Sequence, residues 1–142
     1  MEIRQLAIND YDKMTQLWAR ANLEFKPKAR DSREAIATQM AVHPDFFLGA
    51  FGNNHLIGIV ILSSDMRKGW INRLAVDPAN KRSGVAKALI AESEKILRAS
   101  NVRIFCALIE RDNKPSQNLF EDCGYARHDD ILYFAKRDSD DV

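Results

Sequence analysis

The chain has 142 residues, 46% of them hydrophobic and 29% charged, and a net charge of +1. That length suits one domain of roughly 100–200 residues whose core needs no staple, and that balance excludes disordered and fibrous classes. Near-zero net charge argues against a dedicated nucleic-acid binder, and the longest apolar run, Leu56–Leu62, is far short of the roughly 20 residues of a membrane span.

The opening Met1-Glu2-Ile3-Arg4 leads into a polar-apolar segment with no signal-peptide core. Cys106 and Cys123 share no metal or redox spacing, so reduced thiols, no metal and a cytoplasmic location are expected. Residues 2–8 read as a first strand with Ile3, Leu6 and Ile8 apolar. Asn9 or Asp10 can cap a helix in which Met14, Leu17, Trp18 and Ala21 recur at helical spacing. Phe25 to Arg30 reads as a loop, and Asp31 or Ser32 opens a second helix with Ala35, Ile36 and Met40 on one face. Phe46–Phe51 and His55–Ser63 flank the turn signal Gly52-Asn53-Asn54 and read as a hairpin. Trp70–Val76 comes next as an apolar-rich strand ended by Asp77-Pro78.

Gly84 to Ser100 carries the clearest helical pattern, with Val85, Leu89 and Ile96 on one face. Arg103–Ile109 reads as a buried strand, Asn113 and Pro115 start a short helix ended near Gly124, and Tyr125–Ala135 reads as one or two closing strands. The expected fold is therefore α/β (of the α+β kind): a mixed, mostly antiparallel central sheet of about 6–7 strands with helices on both faces. Residues 1–137 form a single domain in this reading, and the acidic tail 138–142 is frayed.

Charge is unevenly spread. Residues 67–103 hold nine Lys/Arg against three acids, a surplus of +6 that leaves −5 for the remainder. Within that basic stretch, Leu74-Ala75-Val76-Asp77-Pro78-Ala79-Asn80-Lys81-Arg82-Ser83-Gly84-Val85-Ala86-Lys87 runs from a strand through a basic loop into a long helix. The first amides of a helix lack internal partners and lie at its positive dipole end. With Lys81, Arg82 and Lys87 around them they suit a phosphate or pyrophosphate, and Gly84 lets a large anion approach the backbone. Neither a Gly-x-x-x-x-Gly-Lys-Ser/Thr phosphate loop nor a three-glycine dinucleotide fingerprint is present.

Val76-x-Pro78, the basic loop, and Gly84-x-Ala86 opening a helix resemble the signature segment of the GNAT N-acetyltransferase superfamily, which usually reads Gln/Arg-x-x-Gly-x-Gly/Ala. Downstream, Asn113-Lys114-Pro115-Ser116-Gln117-Asn118-Leu119-Phe120-Glu121-Asp122-Cys123-Gly124-Tyr125 is similar to that family's second motif, Asn-x-x-Ala/Ser-x-x-Leu-Tyr-x-x-x-Gly-Phe. The resemblance covers nearly the whole chain and is strongest over residues 70–125.

The resemblance implies a GNAT-like fold and transfer of an acetyl group from acetyl-CoA to an amine of a small molecule or protein. It implies that the main chain of Leu74, Ala75 and Val76 pairs with the pantetheine arm, and that Lys81, Arg82, Ser83, Gly84, Val85, Ala86 and Lys87 cradle the pyrophosphate. Asn113 would reach the pantetheine or acyl end, cap its own helix, or do both, with Ser116 and Phe120 near the same end. A homodimer fits the resemblance too; nucleic acid and membrane are not expected partners.

Two positions depart from the family pattern. Lys81 replaces the usual Gln or Arg, keeping charge but losing the planar fork of donors. Phe120 stands where many members carry a tyrosine near the coenzyme sulfur, and it has no proton to give. Tyr125, Tyr133, Cys123 or water could substitute, or the thiolate, with a pKa of about 8.5, could leave unprotonated. Tyr125 heads the candidates for the acid, and Glu110, at the end of the strand before Asn113, heads those for the base. His43, His55 and His128 are the other candidate bases by residue type, but no spacing aims them at the loop. The competing reading is a non-catalytic acyl-CoA-binding module.

Overall fold

A computed structural model describes all 142 residues. The helices are α1 (Tyr11–Arg20), α2 (Arg33–Val42), α3 (Val85–Ala99) and α4 (Lys114–Asp122). The strands are β1 (Glu2–Gln5), β2 (Phe47–Gly52), β3 (His55–Ser64), β4 (Gly69–Val76) and β5 (Phe105–Cys106), side by side in that order. The first three pairings are antiparallel and β4 with β5 is parallel, so the sheet is mixed.

Local chemistry explains the boundaries. α1 turns Met14, Leu17 and Trp18 inward, all fully buried. Ser32 caps α2, its hydroxyl accepting from the Ala35 amide at 3.1 Å. Asn113 caps α4 in the same way, accepting from Ser116 at 3.2 Å. α1 and α3 both pack on β3 and β4 without packing substantially on each other, which puts them on opposite faces of the sheet. The core lies between these layers, with Phe47, Ile59, Val60, Leu89, Ile90 and Leu97 almost fully buried. No helix is long and apolar enough to cross a membrane.

The sheet has five strands where about 6–7 were expected, because the chain after residue 103 pairs less than its apolar pattern suggests. Only Phe105 and Cys106 of the expected 103–109 strand join the ladder. Tyr125–Ala135 forms no strand, and no backbone N–H beyond Tyr125 donates to a backbone oxygen. The apolar residues there, Ile131-Leu132-Tyr133-Phe134, find no matching edge, because β5, the last strand of the sheet, offers only two residues. All four are exposed.

The seat of α3 depends on one missing side chain. A Cβ at Gly58 of β3 would lie 2.6 Å from Val85 Cγ1 and 3.0 Å from Leu89 Cδ1, so the absence of that atom lets the first turns of α3 rest on the sheet. Gly58→Ala should push α3 outward and cost about 1–3 kcal/mol in a urea unfolding series, the usual range for overpacking. A midpoint equal to that of the parent would contradict this packing.

Candidate functional site

The loop between β4 and α3 is built by local hydrogen bonds. Asp77 ends β4 and caps a single turn over Pro78–Asn80, its Oδ1 accepting from the Ala79 amide at 3.0 Å. Its Oδ2 accepts from Arg20 Nε at 2.9 Å, anchoring the loop to α1. The Ala79 amide and the Arg20 guanidinium hold the Asp77 carboxyl below the usual carboxylate range, so this anchor stays charged at neutral pH. Ser83 Oγ donates to the Asn80 carbonyl, closing the loop on itself. Arg82 (φ 63°) and Gly84 (φ 84°) are both left-handed, a conformation natural for glycine and uncommon for arginine.

This geometry leaves an unbroken row of free donors. No backbone N–H from Lys81 through Lys87 donates to a backbone or side-chain acceptor in the chain; the first bond of α3 runs from Ala88 to Gly84. Lys81, Arg82 and Lys87 make no ion pair. Seven such amides at the positive end of a 15-residue helix, with three unpaired cations, form an anion-binding concavity. Nothing lies within 4 Å of where a Gly84 Cβ would stand, so the space over the helix end is open to a ligand.

A second set of unused backbone groups adjoins the first. β4 meets β5 only at Gly69↔Phe105 and Trp70↔Cys106, and from Ile71 to Val76 that edge has no strand neighbour. On its other side β4 bulges: Ile59 pairs with Ala75 and Ile61 with Asn72, so Arg73 and Leu74 together face Val60. Arg73, at φ 56°, makes the bend. The edge at Leu74, Ala75 and Val76 is thus unpaired by any strand, and an extended amide-bearing ligand can add to it.

The other expected residues lie on and around α4. Phe120 is buried, its ring centroid 5.1 Å from that of Tyr125 in an edge-on contact. The Tyr125 hydroxyl donates to Glu94 Oε2 on α3 at 2.7 Å, and burial together with this carboxylate raises its pKa far above the usual tyrosine value. Burial also raises the Cys123 thiol, against the pull of nearby Lys87. Asn113 Oδ1 is occupied by the Ser116 amide, which leaves its Nδ2 hydrogens uncommitted. Glu110 is exposed, with its carboxylate in no ion pair and its carbonyl accepting from Gln117 Nε2 at 3.1 Å. No cluster of His, Cys, Asp or Glu could hold a metal ion.

Sequence reasoning misses two contributors. Arg20 holds the basic loop from 57 residues away, a separation that leaves no local trace. Gln117 donates to the carbonyls of Glu110 and Arg111 and accepts from Arg127, tying the stretch before α4 to that helix. It sits inside the second motif at a position the motif leaves free.

Comparison with known proteins gives a consistent result. The profile of the Acetyltransferase (GNAT) family matches residues 11–125. Acetyltransferase plu1384 of Photorhabdus laumondii is 30% identical over 138 residues, covering 96% of this chain and 95% of its own length. Acetyltransferase SG1711 of Sodalis glossinidius is 29% identical over 137 residues, with 96% and 95% covered. Among solved structures, the PaiA N-acetyltransferase of Thermoplasma acidophilum in complex with coenzyme A superposes with a TM-score of 0.77, covering 90% of this chain and 91% of its own at 24% identity. At that identity the shared feature is the fold.

The Tyr125–Glu94 contact gives a pH prediction. The folded state keeps the Tyr125 proton well above the usual range, whereas the unfolded chain releases it at about pH 10. This stabilisation is complete below that pH and is withdrawn as pH rises above it. Burial raises Tyr11 as well, so some alkaline sensitivity remains in any Tyr125 variant. Tyr125→Phe should lose less stability than the parent on going from about pH 9.5 to 11 in urea titrations; parallel losses would contradict the assignment.

Proposed function

The chain belongs to the GNAT acetyltransferase family, whose members use acetyl-CoA, and we propose that it moves the acetyl group directly to an amine of a small molecule or protein. The observation that carries this reading is the run of seven acceptorless amides, Lys81–Lys87, among three unpaired cations and next to the free edge of β4. A ligand with a pyrophosphate at one end and an amide-containing arm at the other matches both features at once. In this reading Arg82–Lys87 hold the pyrophosphate, with Lys81 at the rim, and Leu74, Ala75 and Val76 pair with the arm. Asn113 can serve both of its expected roles, because its oxygen caps α4 while its amide hydrogens remain free for the arm. Ser116 and Phe120 flank that end.

Bound acetyl-CoA supplies an activated thioester carbonyl. The protein has to supply a neutral amine, a place for the negative charge that develops on the carbonyl oxygen, and an exit for the thiolate. Backbone donors along the free edge of β4 are suited to the second task. For the first, Glu110 is the carboxylate in the stretch between β5 and α4, exposed and in no ion pair. The demand on it depends on the acceptor: keeping a lysine-like amine neutral at pH 7 costs roughly 4.6 kcal/mol, an α-amine about 1.4 kcal/mol. For the third, Phe120 has no proton and Tyr125 donates its own to Glu94, with a pKa too high for a useful acid. The reading that fits this geometry is departure of the thiolate without a protein acid, which a thiol pKa of about 8.5 permits.

The experiment is release of free thiol from acetyl-CoA against a panel of α-amines, primary aliphatic amines and peptides. Turnover with at least one amine is expected; coenzyme binding with no transfer to any of them would point to a binding module. Arg82→Ala should weaken coenzyme binding by roughly 1.5–3 kcal/mol in calorimetry, the range of a hydrogen bond to a charged group. An unchanged affinity would place the pyrophosphate elsewhere.

A further inference from the structure

Arg73 occupies a place that no part of the proposed chemistry uses. It is a non-glycine residue in the left-handed region, inside the bulge of β4, a conformation uncommon for arginine. Its side chain is tied down from that bend. Nη1 donates to the Glu24 carbonyl at 2.7 Å, and Nη2 lies 3.5 Å from Asp31 Oδ2. The guanidinium carbon sits 4.6 Å from the ring centroid of Trp18, which is fully buried and packs in turn against Phe25 at 5.7 Å.

Asp31 is itself a buried junction. Its Oδ2 accepts from the Lys26 amide at 2.7 Å, and its carbonyl accepts from the Tyr11 hydroxyl at 2.6 Å. One guanidinium therefore fastens both ends of segment 24–31 to the bulge. Cationic stacking on an indole and two oxygen contacts in different directions call for the planar fork of arginine.

Arg73 immediately precedes Leu74, Ala75 and Val76 in β4, and that placement gives it a role. A ligand with its phosphates on Lys81–Lys87, running back along Val76, Ala75 and Leu74, brings its far end to Arg73. Segment 24–31 is the chain held at that point. We propose that Arg73 is a positioning residue that sets the acceptor-side wall: it fixes segment 24–31 against the bulge of β4, where the amine must meet the acyl end of the coenzyme. This inference rests on the acetyl-transfer reading and adds the residue that registers the two substrates against each other.

The test compares Arg73→Ala and Arg73→Lys with the parent in two readouts. The first is amide hydrogen exchange, which needs no activity. Arg73→Ala should speed exchange across residues 24–31 by roughly tenfold or more while α3 is unchanged. The second is steady-state kinetics with an amine found in the thiol-release screen. KM for the amine should rise by roughly tenfold, with the coenzyme dissociation constant within about twofold of the parent. Arg73→Lys, which keeps the charge without the fork, should fall between the two in both readouts, and it carries the test if the alanine variant does not fold. Unchanged exchange at 24–31 would overturn the fastening; amine KM and coenzyme affinity moving together would overturn the acceptor-side role. A parent protein that binds no coenzyme would defeat the acetyl-transfer reading and the acceptor role with it, while the exchange data would still decide the fastening.

Discussion

A backbone N–H must be satisfied by an acceptor or by water, and this fold gathers many with no acceptor in the chain. The candidate site is organised around that deficit. β4 is paired along its β3 side but loses its other neighbour after Trp70, and the loop beyond it leaves every amide from Lys81 to Lys87 without an acceptor. In most proteins such groups are satisfied by capping side chains, yet Gly84 has no side chain and Ser83 spends its hydroxyl on the Asn80 carbonyl. Lys81 to Gly84 are exposed, so water serves these amides until a ligand with several anionic oxygens replaces it.

Holding that array open requires rigidity elsewhere. Three contacts supply it, each from a different part of the chain. Gly58 lets Val85 and Leu89 sit directly on β3, which fixes the axis of α3. The Arg20–Asp77 pair pins the end of β4 to α1, and because the Asp77 carboxyl lies below the usual range the pin persists at neutral pH. The Arg73 cluster fixes the bulge where the strand turns away from β5. The partly exposed Arg20–Asp77 pair contributes little to stability by itself; its value lies in where it holds the backbone.

Much of this is legible in the sequence for physical reasons. Helix starts at Ser32 and Asn113 and the turn at Gly52-Asn53-Asn54 follow from side chains that act on their own backbone, so local pattern finds them. The basic loop running into Gly84 is legible because the free amides of a helix end are a property of any helix and the cations lie beside them in sequence. The features that escape depend on distant partners. Arg73 carries no glycine-like signal for its left-handed backbone, and its side-chain partners Glu24, Asp31 and Trp18 are distant in sequence. Residues 125–135 have the composition of a strand, but a strand forms only where a neighbour offers a matching edge, and β5 offers two residues.

In the proposed reading the seven amides receive the phosphates of a coenzyme. The most direct measurement is residue-resolved hydrogen exchange of the protein with and without saturating coenzyme A. Slowed exchange is predicted at the amides of Lys81 to Lys87, with added protection at the free edge of β4, while the first turn of α2, another helix N-terminus, is unaffected. Protection confined to other segments, or none at saturating coenzyme, would contradict that reading.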